Sequence, residues 1–380
     1  MMRYFPPVRV ALLPLALILL VACAAGPPRR QAPAAATAGP AAAAAASEPQ
    51  APPAAGDDAA VASFYQGKTV RIIVGYPPGG GFDVTSRVIA KTLGKYVPGT
   101  PNVIVENMPG AASMVALNHV YNVAPKDGTV IGNSIGGLAL QQAFGASGVQ
   151  FDMGQMHYLG TAGTDTFVLF VNRATTGVSR MGDLLGPASR EVALGGSSPG
   201  ATQTDATLLL RDVLGARVKP ILGYQGTAPI RLGIEAGELD GMVQVWEDLK
   251  RTDRERFESG EWAVLAVFAE EPLPDLPGVP LVQSFARTDE QRQMFRLGVL
   301  VPTQVLRPYI LAPQVPPERV RALQAAFAQT MQDPDYLAEA QRLNFPGGPI
   351  TGAQTLRLVR EVLAMPEEVR DKLKTYLQPQ

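Results

Sequence analysis

Between Lys68 and about Asp335 the apolar residues switch repeatedly between two spacings. Continuous apolar runs, which suit strands buried on both faces, give way to stretches with apolar residues three and four apart, which suit helices packed by one face. TVRIIVGY is such a run, stopped by Pro77 and Pro78. Behind it Val84, Val88, Ile89 and Leu93 recur at helical spacing, with Asp83 where an N-cap would stand. PNVIVENM predicts a strand, ASMVALNHVYNVA a helix ended by Pro125, and GTVIGNS another strand. Further along, TFVLFVN, EVALGG, VKPILGY, LDGMVQV and EWAVLAVF read as strands, with TDATLLLRDVLG and APIRLGIEAG as helices among them. The proline-rich EEPLPDLPGVP reads as loop. In the last third Pro317 opens a helix whose Val320, Leu323, Phe327 and Met331 share a face, and Pro334 stops it. Strand, helix and strand in succession require crossovers and predict an α/β fold of two lobes with largely parallel sheets.

Three consecutive glycines, Gly79 to Gly81, join the first strand to the first helix, so the backbone there must approach something closely. Nucleotide phosphate does not fit. A dinucleotide fingerprint read from Gly79 meets Val84 where its third glycine belongs. A phosphate loop read from Gly75 and Gly80 meets Gly81 and Phe82 where a lysine and a hydroxyl are required.

The 380 residues are 46% hydrophobic, enough for two ordinary cores, and only 18% charged. The formal net charge is −1, and the first 22 residues hold Arg3 and Arg9 and no acid, so the remainder stands at −3. With no lysine- and arginine-rich block, the chain has no electrostatic footprint for nucleic acid.

Residues 1–22 read as an export signal: basic residues at the start, then an apolar run from Val10 to Leu20, short for a membrane span. The run ends at Leu20-Val21-Ala22-Cys23, which resembles a bacterial lipobox, where the cysteine thiol is acylated. An ordinary cysteine beside a conventional cleavage site is the plainer alternative. Cys23 is the only cysteine, so it has no disulfide partner within the chain, which favours lipidation. Residues 23–65, nearly all alanine and proline up to Ser63, read as a disordered tether reaching ~35 Å as a coil and on the order of 100 Å extended. Ala24 after the cysteine, rather than an aspartate, points by analogy with lipoprotein sorting to the outer membrane.

RIIVGYPPGGGFDVTSRVIAKTLGKYV, then VIVENMPGAAS, then APKDGTVIG, in this order, resemble the extracytoplasmic solute receptors of tripartite tricarboxylate transporters, also called the Bug family. The family pattern falls on Pro77–Asp83, Glu106–Ala111 and Pro125–Thr129, the last with Lys126 inserted, and its Y-x-G-x-x-P loop on Tyr224 to Pro229. The likeness covers roughly Lys68 to Asp335. It implies a two-lobed periplasmic-binding-protein fold of type II character, with lobe 1 formed by residues 66–165 and 290–380 and lobe 2 by 166–289. It also implies a monomeric, periplasmic receptor that holds a small carboxylate in the cleft and passes it to integral-membrane transporter subunits, attached to the membrane by its N-terminal lipid and using no cofactor.

The residues supply chemistry for such a role. A helix start presents unpaired amides and partial positive charge, and Pro78, Gly79, Gly80 and Gly81 let a small anion reach them. Lobe 2 offers a similar turn, in which EVALGG leads into Ser197, Ser198, Pro199, Gly200 and Ala201 before a helix. Two such turns could hold a carboxylate without lysine or arginine. Four or five hydrogen bonds at roughly 1.5–3 kcal/mol each, less the cost of association, suffice for micromolar binding. Asp83 is expected to cap the loop, because a carboxylate facing the ligand would repel it. Tyr76 and Phe82 are candidate cleft walls, or core. Ser134 follows a strand where parallel sheets place ligand contacts. Tyr224, Gln225 and Thr227 follow from the resemblance, and Trp246, beside Glu247 at another strand end, is as suited to core as to cleft. Many members have a serine and a histidine where this chain has Ala201 and Thr204, so no particular ligand carries over.

Other functions find less support. Gly196 to Gly200 matches G-x-S-x-G between a strand and a helix, the setting of a serine nucleophile at Ser198. Both histidines, His119 and His157, lie upstream, against the order that fold requires. A second match at Gly132 to Gly136 has Asp152 and His157 downstream, too near to sit on later strand ends. Two scattered histidines and one N-terminal cysteine form no metal set. A receptor serving a two-component sensor would have the same sequence features.

Overall fold

A computed structural model describes residues 55–186, 190–224, 226–345 and 348–378. The signal, lipid and most of the tether expected before Ala55 lie outside these residues. The tether itself ends earlier than its composition suggests. Ala55–Tyr65 is helix α1, in which Val61 and Tyr65 are buried and the Tyr65 hydroxyl donates to the Gly128 carbonyl at 3.1 Å. Val61, Phe64 and Tyr65, at i, i+3 and i+4, give this alanine-rich stretch one apolar stripe to dock.

Two sheets organise the rest. The first has the order β11-β4-β10-β3-β1-β2, with β1 Thr69–Val74, β2 Asn102–Asn107, β3 Val130–Asn133, β4 His157–Thr161, β10 Pro308–Leu311 and β11 Ile350–Thr351. The second runs β7-β6-β8-β5-β9, with β5 Phe167–Asn172, β6 Val192–Gly195, β7 Val218–Ile221, β8 Gly241–Val245 and β9 Trp262–Phe268. Both are mixed. β1 pairs in parallel with β2 and β3, and β6 with β7 and β8, as crossover connections require. The strands at which the chain passes from one sheet to the other, β4, β5, β9 and β10, pair antiparallel with their neighbours.

Helix α2, Gly81–Tyr96, follows β1, and α3, Met114–Asn122, follows β2. The short α4, Leu138–Ala143, follows β3. In the second sheet α5, Thr202–Asp212, follows β6, α6, Thr227–Ala236, follows β7, and α7, Trp246–Thr252, follows β8. Pro317–Thr330 forms α8 as its spacing predicts, and it packs on α2. Pro334 does more than stop it: it is the first residue of the next helix, α9, Pro334–Arg342, capped by Asp333. The closing helices are α10, Gly352–Leu363, and α11, Glu367–Leu377. α11 packs on α5, so the C-terminal segment, placed with lobe 1 in the sequence reading, also covers the second sheet's side. One core lies between α1, α2, α8 and the first sheet, and a larger one joins the second sheet, α5 and the closing helices. Among the described residues, no helix is long and apolar enough to cross a membrane.

Candidate functional site

The β1–α2 connection sits at the C-terminal end of the parallel strands. Gly80, not Asp83, is the N-cap of α2, and it contributes no side chain. Asp83 lies one turn into the site and reaches back: its carboxylate accepts the Gly79 amide at 2.9 Å, the Asn107 side-chain amide at 2.9 Å and Arg87 at 2.8 Å. It is 2% exposed. Burial works to raise its carboxyl, but the bonds from Arg87, Gly79 and Asn107 together outweigh that and hold it below the ordinary value. Asp83 therefore shapes the loop, as its capping role required, while the amides of Gly81 and Phe82 have no intrahelical acceptor.

The rings of Tyr76 and Phe82 stack at 4.2 Å with 27° between planes, and both pack against the hydrophobic cores. Burial pushes the Tyr76 phenol up to about 12, so it remains a neutral donor. Packed against Gly75 is a feature with no sequence signature. Ala111, Ala112 and Ser113 are all left-handed, at φ of 45°, 49° and 74°. Such backbone is costly for residues bearing a Cβ and marks sites held in place by their surroundings. Gly75 permits the arrangement, since a Cβ there would lie 2.3 Å from that of Ser113. Ser113 and Ser134 are both buried; the Ser134 hydroxyl lacks a hydrogen-bond partner, and the Ser113 hydroxyl lies against the Tyr76 phenol. Ser134 follows Asn133, whose carbonyl accepts the Gly75 amide at 3.0 Å. The two buried hydroxyls thus flank the end of β1.

The second turn is also built around an acid. Asp205 in α5 is 1% exposed and accepts the Gly200 amide at 3.0 Å, while Thr204 Oγ1 accepts the Ser197 amide at 3.1 Å. Part of this helix start is thereby already satisfied. Burial pushes the Asp205 carboxyl up to about 7 against that single bond. Because the folded value exceeds the unfolded one of about 3.9, stability is complete below pH ~4 and declines as pH rises towards 7. Asp205→Asn keeps an acceptor for Gly200 and cannot ionise. It is expected to flatten that decline and to stabilise the protein at pH 8 by at most about 4 kcal/mol, measured by urea unfolding at pH 4.5 and 8.

Ser197 accepts from Gln203 at 3.2 Å, Ser198 is exposed, and Ala201 is buried. Gly200 meets the first sheet's side, where its Cβ would lie 2.9 Å from the Gln141 side-chain amide and its carbonyl 3.0 Å from a Cβ on Gly137. Ser134 and the 197–201 turn are therefore joined through Gly137 and Gln141. Tyr224 is half-buried and its amide donates to the Gly196 carbonyl, which seats this loop beside Ser197. Thr227 is half-buried at the start of α6, and Gln225 lies outside the described residues. Of the two places the sequence left open for Trp246, the structure has it in the core beside the second sheet: 7% exposed, it packs edge-on against Phe257 at 5.3 Å, which does not support its candidacy as a ligand contact. The ring nitrogen of His157 lies 3.0 Å from the Pro313 carbonyl, and His119 is on α3, so neither serves Ser198 as a base.

A small crevice of about 50 Å³, partly open, runs along the start of α2. Its walls include Gly79, Gly81, Asp165, Asp248, Arg251 and Arg307, whereas the serine turn at 197–201 is not among them. The expectation of a site without a fixed cation fails here. Arg307 is 8% exposed, with its Nη2 3.1 Å from where a Cβ on Gly81 would stand. It pairs with Asp165, and its guanidinium lies 5.2 Å from the Phe82 ring centre. Among the described residues, no group of three or more histidine, cysteine or acidic side chains is placed to hold a metal.

BugT of Bordetella pertussis is 24% identical over 231 residues, 58% of this chain, and the chain spans 66% of that relative's length. Two solved structures share the fold at low identity. MatC from Rhodopseudomonas palustris with bound malate has a TM-score of 0.61 at 18% identity, covering 80% of this chain and 99% of its own. An R. palustris protein with adipate has a TM-score of 0.61 at 20% identity, covering 80% and 97%. Residues 85–373 match the family model described as the tripartite tricarboxylate transporter family receptor, TctC, and the chain belongs to that family.

Proposed function

We propose that this chain is an extracytoplasmic receptor that, as a monomer, binds a small organic carboxylate in a hinged cleft and delivers it to the membrane subunits of a tripartite tricarboxylate-type transporter. Its family and fold are those of substrate-binding proteins, which are not enzymes. The observation that carries the reading is the start of α2. There, Gly79 and Gly81 line the crevice at the end of β1, the Gly81 and Phe82 amides have no intrahelical acceptor, and the partnerless hydroxyl of Ser134 is buried nearby. An anion taking these donors would satisfy groups that otherwise remain costly to bury. Malate in MatC and adipate in the second R. palustris protein set the class of molecule to try first. The lobe division at about residues 166 and 289 would place the hinge in the two segments that link the sheets.

Calorimetric titration of the soluble part with malate, adipate, tricarboxylates, aromatic carboxylates and amino acids tests this. Micromolar binding of at least one carboxylate is expected, and absence of binding across the panel contradicts it. The lipid on Cys23 and outer-membrane attachment belong to the same proposal. Cys23→Ser is expected to move the protein from the membrane to the soluble periplasmic fraction, and continued membrane association would contradict the anchor.

A further inference from the structure

The segment leading from β4 to β5 carries Asp165, and the segment leading into β10 carries Arg307, so this ion pair ties together the two strands of chain that link the sheets. Its geometry is one-sided. Both Asp165 oxygens lie on Nη1, at 2.7 and 2.6 Å, and Nε is buried with no hydrogen-bond partner. The Nε–Nη2 edge, which presents two parallel N–H groups in the spacing of a carboxylate, faces Gly81 at the start of α2. A glycine at this position keeps a side chain off the edge, since a Cβ would press within 3.1 Å of Nη2.

Resting on the carboxylate reading above, we propose that Arg307 is a ligand-binding residue whose Nε–Nη2 edge takes a carboxylate of the bound molecule side-on, with Asp165 as its positioning residue. The neighbouring charges leave this edge available. Asp165 is spent on Nη1, and Asp248 is paired with Arg251 at 2.9 Å, so the acids and bases of the crevice balance. What remains uncompensated is the fork and the positive end of α2, and both select an anion.

The test is calorimetry on the full soluble chain with adipate, adipamide, malate and inorganic phosphate. Wild type is expected to prefer adipate or malate to adipamide by at least tenfold. The combined Arg307→Gln and Asp165→Asn variant removes both charges together, so no lone buried charge is left. It is expected to melt cooperatively yet to lose about thirty-fold in carboxylate affinity, and with it the preference over the amide. Arg307→Lys keeps the charge and the pair with Asp165 but lacks the fork, and a loss of about tenfold is expected, which serves if the double variant fails to fold. Carboxylate affinity within threefold of wild type in either folded variant would overturn the role of Arg307 while leaving the receptor reading intact. No carboxylate binding by wild type would overturn both, and tighter binding of phosphate than of either carboxylate would overturn the choice of carboxylate.

Discussion

Replacing Asp83 with alanine is expected to abolish carboxylate binding and to destabilise the fold by about 3–5 kcal/mol. The side chain is buried and engages three donors on three parts of the chain: the Gly79 amide, the Asn107 side chain and Arg87. Alanine leaves the Gly79 amide and the Asn107 amide without acceptors in a site where water cannot fully replace the carboxylate, each at a cost of roughly 1–3 kcal/mol. The Gly79–Phe82 backbone then loses the bond that sets its direction. Asp83→Asn retains one acceptor oxygen but loses the charge facing Arg87, and it is expected to bind more weakly than wild type but better than alanine. Urea unfolding and calorimetry on the same samples separate the two effects. The pH dependence has a definite sign. Since the folded carboxyl lies below its unfolded value of about 3.9, its contribution is present above that value and is lost as pH falls through the depressed one.

The second large effect is expected at Gly75. Its backbone is not left-handed, so alanine is tolerated locally, but the new Cβ would stand 2.3 Å from Ser113 Cβ and 2.7 Å from its Cα. The 111–113 turn must give way, at a cost of about 1–3 kcal/mol for the overpacking. The larger consequence falls on function, because Ser113 and Tyr76 both move: carboxylate affinity is expected to drop by more than about thirty-fold, equivalent to roughly 2 kcal/mol. Adding Ser113→Gly to Gly75→Ala removes two of the three clashing atoms, Cβ and Oγ, and suits the φ of 74° at that position. It should restore stability in excess of additivity without restoring affinity, since the hydroxyl is gone. Full restoration of binding by the double change would remove Ser113 from the site.

The contrast between Asp83 and Arg307 shows how far the sequence could be read. The glycine run after an apolar strand, followed by helical spacing, announces a strand-to-helix turn through local chemistry alone. Only the cap position was misplaced, by three residues, because Asp83 bonds backwards to Gly79 and not forwards into the helix. Arg307 and Asp165 are 142 residues apart, each in a connecting segment without periodicity, and nothing in either neighbourhood points to the other. Ser113 escaped notice for a different reason: left-handed backbone is usually signalled by glycine, and here two alanines and a serine adopt it under the pressure of packing on Gly75. β4, β10 and β11 were not picked out either. β10 opens with proline and β11 has two residues, so their strand character comes from the sheet they join and not from their own composition. Trp246 shows the limit of a strand-end aromatic as a signal, since its place between core and cleft could be decided only by the packing around Phe257.

The central claim is that backbone amides at the start of α2 grip a carboxylate. A crystal structure of the chain grown with adipate or malate tests it most directly. The account predicts a ligand carboxylate oxygen within about 3 Å of an amide among Gly81, Phe82 and Asp83. A ligand bound with no contact to Gly79–Asp83 would contradict it.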